Sequence, residues 1–301
     1  MLGTSALLPT PERSLTSMLI SSNGHSILVD CGEGTQTAAR RAGVSLMKTE
    51  MIALTHFHGD HIFGLPGLMQ TMSVMGRTEE LLIVGPNGIE KELAPIMALT
   101  GKTAYPVILR EFTDGMLTCG EIKIQTFATN HKVISQGYVF TLDRNPEFLP
   151  NKAKELGIPV KFWGELQKGM DVIDGDRIYK SADVTGERRN GLKIVVSGDT
   201  AECDNLTEAV SEADLFVCEA TYGEDDDKEL AREYGHMTFR DACRTAKNGN
   251  AKRLLLTHFS QRIKDADECL TDVMDEFPNT ECATDGMKIE LRFQKAKGIR
   301  Q

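Results

Sequence analysis

The segment Thr55-His56-Phe57-His58-Gly59-Asp60-His61 places three imidazoles and a carboxylate within six residues, directly after the apolar run Met51 to Leu54. Imidazole nitrogen and carboxylate oxygen are ligands for divalent transition metals, and this many on one strand-to-helix loop can serve more than one ion. The competing use is a polar turn, but buried histidine is uncommon and an unpartnered aspartate is costly to bury. Two ions need more ligands than the loop holds, so further donors are expected at other strand ends. His131 follows the β-rich run Ile122 to Thr129, Asp199 follows Val195-Val196-Ser197-Gly198, and His258 follows Leu254-Leu255-Leu256-Thr257. Taken singly, each is more often an ordinary polar residue closing a strand; the repeated context points to one shared centre. Of the seven histidines, that leaves His236, two residues before a potential helix-capping Thr238, and His25, in the turn Asn23-Gly24-His25, which has no evident task.

The elements that must carry these donors read from apolar runs bounded by turn residues. Strands are expected at Ile27 to Val29, Met51 to Leu54, Leu81 to Val84, Ile194 to Val196, Leu215 to Val217 and Leu254 to Leu256. Helical patterns lie between them at Ile89 to Leu99, Asn205 to Glu212, Phe239 to Lys247 and Glu268 to Phe277. Residues 103–142 read instead as β-hairpins around Gly115 and Gly120. Strands alternating with helices in some stretches and following one another in others predict an α/β architecture of sheets faced by helices. Residues 143–180 break this rhythm and read as an insertion. Lys152, Lys154, Lys161 and Lys168 raise its positive charge, and Phe162 and Trp163 are expected as exposed aromatic surface.

At 301 residues one layered α/β domain with an insertion is the expected organisation. The formal charge of −10 argues against a protein that coats nucleic acid nonspecifically, so any RNA-binding surface must be local. Seven cysteines, scattered and never in a CxxC pair, read as reduced buried thiols. Met1 leads straight into Leu2-Gly3-Thr4-Ser5 with no apolar leader, and no run of eighteen apolar residues occurs, which together imply a cytoplasmic chain with no membrane association.

These motifs resemble the metallo-β-lactamase superfamily, whose signature is HxHxDH followed by a distant His, an Asp and a final His. Within it the chain is most similar to the ribonuclease Z family, endonucleases that trim the 3′ end of precursor tRNA. The matching pieces are Leu2-Gly3-Thr4-Ser5 with Pro9-Thr10-Pro11-Glu12-Arg13, Asp30-Cys31-Gly32-Glu33-Gly34-Thr35-Gln36, Gly64-Leu65-Pro66-Gly67, Asn130-His131, Ser197-Gly198-Asp199-Thr200, Cys218-Glu219-Ala220-Thr221 and Leu256-Thr257-His258-Phe259-Ser260. They span nearly the whole chain.

The resemblance implies an αββα four-layer sandwich with residues 143–180 as an inserted substrate-binding arm. It implies two zinc ions per subunit, one on His56, His58 and His131, the other on Asp60, His61 and His258, with Asp199 bridging them. It further implies that Asp60 orients the attacking water, that Glu219 and His236 protonate the departing 3′ oxygen, and that Asp30 receives a hydrogen bond from a ligand histidine or else forms a turn before Gly32. Hydroxide attack would leave a tRNA 3′-hydroxyl. Precursor tRNA is the implied substrate and a homodimer the implied assembly, the arm of one subunit serving the other's active site. The chain departs from the pattern in the arm, where residues 157–169 lack the family's adjacent Gly-Pro pair. A small-molecule metallo-hydrolase or phosphodiesterase on the same fold is the alternative function. A di-iron redox protein is disfavoured, because such relatives carry a carboxylate at the position of His58.

Overall fold

Runs of aliphatic residues long enough to be buried on both faces dictate the architecture. In the computed structural model, which describes residues 1–187, 189–223 and 225–293, three such runs form the middle of a five-stranded sheet. Its strands are β1 (Met18–Ser22), β2 (His25–Val29), β3 (Thr49–Ala53), β4 (Leu81–Gly85) and β5 (Val107–Glu111), in that spatial order. Only β1 and β2 pair antiparallel; from β2 to β5 the sheet is parallel. A second sheet contains β6 (Leu117–Cys119), β7 (Ile122–Ala128) and β8 (Gln136–Arg144). After the separate hairpin β9 (Val172–Asp174) and β10 (Arg177–Tyr179), it is completed by β11 (Arg189–Val196), β12 (Leu215–Glu219), β13 (Leu254–Thr257) and β14 (Thr280–Cys282). Its order is β14-β13-β12-β11-β8-β7-β6, parallel from β11 to β14.

Successive side chains along each strand go to opposite faces, and both faces are covered. Leu28, Ile52 and Ile83 of the first sheet pack with the helices Thr35–Arg41, Leu65–Val74 and Ile89–Thr100, which supply Ala38, Leu68, Met69 and Leu93 to one core. Phe216, Cys218, Leu254 and Leu256 of the second pack with the helices Asp204–Val210 and Phe239–Asn248 in another. The latter helix begins at Thr238 with a reciprocal capping box to Asp241. The residues between, such as Ile27, Val29, Met51, Val217 and Leu255, are buried as well, which leaves the two sheets face to face and gives the αββα order of layers. The Tyr138 hydroxyl of β8 donates to the Leu54 carbonyl at 2.7 Å, and the Gln136 amide donates to the Thr55 carbonyl at 3.0 Å. These bonds tie the second sheet to the loop that starts the histidine motif.

Three expectations need correction. Only Gly120 sits in a hairpin, between β6 and β7; Gly115 lies where the chain leaves β5 in one sheet and enters β6 in the other. The last helix runs Ala266–Thr271 rather than Glu268 to Phe277; its earlier start is fixed by the Asp265 side chain, which caps it by accepting from the Asp267 amide. Phe162 and Trp163 are not exposed aromatic surface. A smaller compact unit, Leu142–Leu192 with residues 291–293, contains a core of Ala153, Ile158, Leu166, Val172 and Val184, against which Phe148, Phe162, Trp163 and Tyr179 pack. Trp163 Nε1 donates to the Ile158 carbonyl at 3.1 Å. So short a segment has few apolar residues for a core of its own, and burying its aromatics is how this one obtains it. Its exposed apolar residues include instead Leu156, Val160, Met170, Ile173 and Ile178.

Tyr138→Phe is expected to destabilise the fold by about 1–3 kcal/mol in chemical denaturation, since it strands the buried Leu54 carbonyl and the Gln136 side-chain amide that donates to the hydroxyl at 2.7 Å. A change within a few tenths of a kcal/mol would mean that other groups satisfy both.

Candidate active site

Parallel strands end together at one edge of each sheet, and loops leaving that edge can converge. Asp30 leaves β2, Thr55 to His61 leave β3, Asp199 leaves β11, Glu219 ends β12 and His258 leaves β13. Two of these turns are left-handed at non-glycine residues, Asp30 with φ 54° and His258 with φ 61°. Such backbone costs on the order of 1–3 kcal/mol and persists where its surroundings over-determine it. Gly198, φ 61°, makes the turn before Asp199, and a Cβ there would lie 2.9 Å from Thr55 Cβ.

All seven sequence-derived donors meet. His56, His58, His131 and Asp199 have ligand atoms within 4.8 Å of one another, as do Asp60, His61 and His258. The Asp199 carboxylate stands between the groups, with Oδ2 3.6 Å from His56 Nε2 and 3.4 Å from His61 Nε2, and Oδ1 3.3 Å from His258 Nε2. Asp60 Oδ2 is 3.4 Å from His258 Nε2 and 3.6 Å from His61 Nε2.

The far nitrogens show what the near ones are for. His61 Nδ1 is 2.8 Å from Asp30 Oδ2 and His131 Nδ1 donates to the Gly235 carbonyl at 2.8 Å. His56 Nδ1 is 3.0 Å from Thr55 Oγ1, and His258 Nδ1 2.9 Å from Thr221 Oγ1. A carbonyl and a carboxylate only accept, so His131 and His61 carry their proton on Nδ1 and direct Nε2 into the centre. This is the outer-shell arrangement of metal-binding histidines, and it brings bare imidazole nitrogens together: His61 Nε2 and His258 Nε2 are 3.3 Å apart, His58 Nδ1 and His131 Nε2 3.4 Å. With carboxylates among them, the donor set fits divalent transition metals.

Electrostatics agree at His56 and Asp199; at His61, burial works against charge but the carboxylates of Asp199 and Asp30 outweigh it and raise the imidazole well above its usual value. Burial, then the neighbouring imidazole of His61, drives the His56 pKa well below its usual value, which keeps that nitrogen available as a donor. Burial alone would raise Asp199, but the imidazoles of His258, His61 and His56 outweigh it and hold the carboxylate ionised.

Beside this cluster Glu219 and His236 form a pair. Glu219, 2% exposed, accepts from the Thr200 amide, the Thr221 amide and the Thr221 hydroxyl, and its Oε1 lies 2.8 Å from His236 Nδ1. Burial works against a charged His236, and Glu219 more than offsets it, lifting the imidazole to about 9. His236 stacks near His258 and His131, with ring centroids 5.8 and 5.0 Å away.

The sequence and the fold have known counterparts. A family model described as "Beta-lactamase superfamily domain" matches residues 182–259, and one described as "Anti-Pycsar protein Apyc1" matches residues 1–148. Ribonuclease Z of Lachnospira eligens is 38% identical over 296 residues, covering 97% of each chain. That of Clostridium novyi is 38% identical over 304 residues, 97% of this chain and 98% of the relative. The chain belongs to the ribonuclease Z family. The crystal structure of human tRNase Z, short form, matches with a TM-score of 0.69 and 26% identity, over 97% of this chain and 98% of that one. Membership in the ribonuclease Z family, with its metallo-β-lactamase fold, implies divalent metal binding, as the donor set does.

Three contributors to this ribonuclease Z family site escape sequence reasoning. The Thr55 hydroxyl links His56 to Asp30, donating to Oδ2 at 2.9 Å. The Thr221 hydroxyl links His258 to Glu219 in the same way. The backbone amide of Leu7, at φ 59°, donates to Asp60 Oδ2 at 2.8 Å. Both threonines stand inside matched motifs, and the only available signal was their position beside a ligand; an amide contact leaves no side-chain signature. Asp30 also accepts from the Thr55 amide at 2.8 Å.

Asp30→Asn leaves one side-chain oxygen where the carboxylate offers two, Oδ1 to the Thr55 amide and Oδ2 to His61 and the Thr55 hydroxyl. It should weaken divalent metal retention about 10–100-fold in a competition with a chelator. Unchanged affinity would mean that Asp30 serves the turn alone.

Proposed function

We propose that this chain is a zinc-dependent endoribonuclease that removes the 3′ trailer of precursor tRNA, leaving a tRNA 3′-hydroxyl. The observation that carries the reading is the seven-residue N/O donor cluster with a carboxylate–imidazole pair at its side, in a chain of this family. His56, His58 and His131 would hold one zinc ion, Asp60, His61 and His258 the other, and Asp199 both. Bound there, the ions supply Lewis acidity, neutralising charge on the scissile phosphate and making water nucleophilic near neutral pH.

The chain's own groups do the rest. Asp60, ionised and held by the Leu7 amide, orients the attacking water. As that oxygen bonds to phosphorus the P–O3′ bond breaks, and His236 gives its proton to the departing 3′ oxygen. Glu219 holds the imidazole by Nδ1, leaving Nε2 as the acid, an arrangement common to carboxylate-oriented histidines. The phosphate stays on the trailer.

Residues 143–180 serve, in this reading, as an arm that grips the tRNA away from the cut, and the chain works as a homodimer in which each arm serves the partner's site. A tRNA elbow lies far from its 3′ end, so a protruding element must supply that contact. No helix among the described residues is long and apolar enough to cross a membrane.

Incubation with a 3′-extended precursor tRNA should give one cut with a 3′-hydroxyl on the tRNA, abolished by chelation and restored by zinc; turnover of small phosphodiesters with no attack on tRNA would favour the small-molecule alternative. Asp60→Ala should reduce cleavage to near background with loss of metal. His236→Ala should cost on the order of 10²- to 10⁴-fold in rate with metal content unchanged. Equal metal loss in the two variants would refute this division of roles.

Replacing residues 143–180 by a short Gly-Ser linker should impair tRNA cleavage strongly and flatten its salt dependence, while an activated small phosphodiester is hydrolysed at nearly the parental rate. Equal loss on both substrates would make the arm a support of the fold, and undiminished tRNA cleavage would exclude it from recognition.

A further inference from the structure

His25, which the catalytic cluster leaves unused, has a setting of its own. It begins β2, whereas Asp30 follows the end of that strand, so it lies at the opposite edge of the sheet from the catalytic centre. Its Nδ1 is 2.9 Å from Glu50 Oε1, and Cys119 completes a trio whose ligand atoms all lie within 4.8 Å of one another.

The local backbone builds this trio. The register between β2 and β3 slips at Ser26/Ile27: Thr49 pairs with Ser26 and Met51 with Ile27, so Glu50 is the extra residue of a bulge. Bulges re-aim side chains, and this one leaves Glu50 against His25. Gly120, at φ 56°, lies under the imidazole, where a Cβ would stand 2.3 Å from a ring carbon. Cys119, 4% exposed, closes the site from below at the end of β6. The three donors therefore come from three strands and both sheets.

We infer that His25, Glu50 and Cys119 form a second metal site, separate from the catalytic centre, that takes a borderline transition-metal ion such as zinc or cobalt. One thiolate, one imidazole and one carboxylate suit those ions and not magnesium or calcium, which demand oxygen ligands. With bonds of about 2.0–2.3 Å, the donors of a tetrahedral zinc stand roughly 3–4 Å apart; His25 and Glu50 are partly exposed and can close the remaining gap. Solvent supplies the fourth position. Binding releases the thiol proton of Cys119 to water, while Glu50 binds as the carboxylate and His25 through a neutral nitrogen. The ion would fasten the three-residue edge strand β6 to β2 and β3, which the Asn23 side-chain amide, donating to Glu121 at 2.9 Å, already links to the same hairpin.

The catalytic cluster contains no sulfur, so a thiolate signal that depends on Cys119 reads this site and not that one. The full chain, purified with its catalytic ligands intact, is titrated with cobalt(II). The expected result is a near-ultraviolet sulfur-to-cobalt charge-transfer band, lost in Cys119→Ser and in His25→Ala and retained in Asp199→Ala, where the catalytic cluster is broken. Retention in Asp199→Ala separates this site from the proposed catalytic one. Zinc should also raise the thermal midpoint of the parent more than that of Cys119→Ser. No band in the parent, a band surviving Cys119→Ser, or equal thermal shifts in both proteins would overturn the inference.

Discussion

An imidazole has two nitrogens, and in a buried metal centre only one can face the metal. The other must find a partner or be left unsatisfied where water cannot reach it. Most of what surrounds this site answers that constraint. His61 is satisfied by Asp30, His131 by the Gly235 carbonyl, His56 by Thr55 and His258 by Thr221. Asp30 and Glu219, one from each sheet, then anchor the threonine hydroxyls. The same buried carboxylate that steadies His258 through Thr221 also holds His236, so the cluster and the candidate acid share one anchor.

That arrangement explains the backbone around it. To place Asp30 beneath the β3 loop and His258 across from Asp60, the chain turns left-handed just beyond two strands. The rigid parallel sheets, with a separate core behind each, supply the packing that holds those turns. Glycine is used where the turn must also pass close to another segment, as at Gly198 beside Thr55 and at Gly235, whose Cβ would meet His131 Cα at 2.9 Å.

Much of this was legible in the chain because strands buried on both faces read as plain apolar runs, and the ligands stand in the loops that follow such runs, His131 after the mixed strand β7 excepted. The motif from His56 to His61 is local, and His131, Asp199 and His258 could be found by their repeated context. What could not be read depends on three-dimensional neighbours. Thr55 and Thr221 are unremarkable hydroxyls until a histidine is seen beside each. The Leu7 amide carries no residue-type signal at all. Gly115 marks a turn, but only the sheet order shows that the chain changes sheets there. Phe162 and Trp163 looked exposed because they sit among lysines; a small unit with few apolar residues keeps its aromatics for its own core.

His61 and His258 are 197 positions apart in sequence, yet their Nε2 atoms stand 3.3 Å from each other. A centre assembled from such distant segments cannot form piecemeal, because its last donor arrives only with the strand β13. During synthesis the amino-terminal sheet and the whole histidine motif emerge from the ribosome well before that strand exists. The nascent chain therefore lacks a complete set of donors until β13 has emerged, and it passes its time beside ribosomal RNA and tRNA without one.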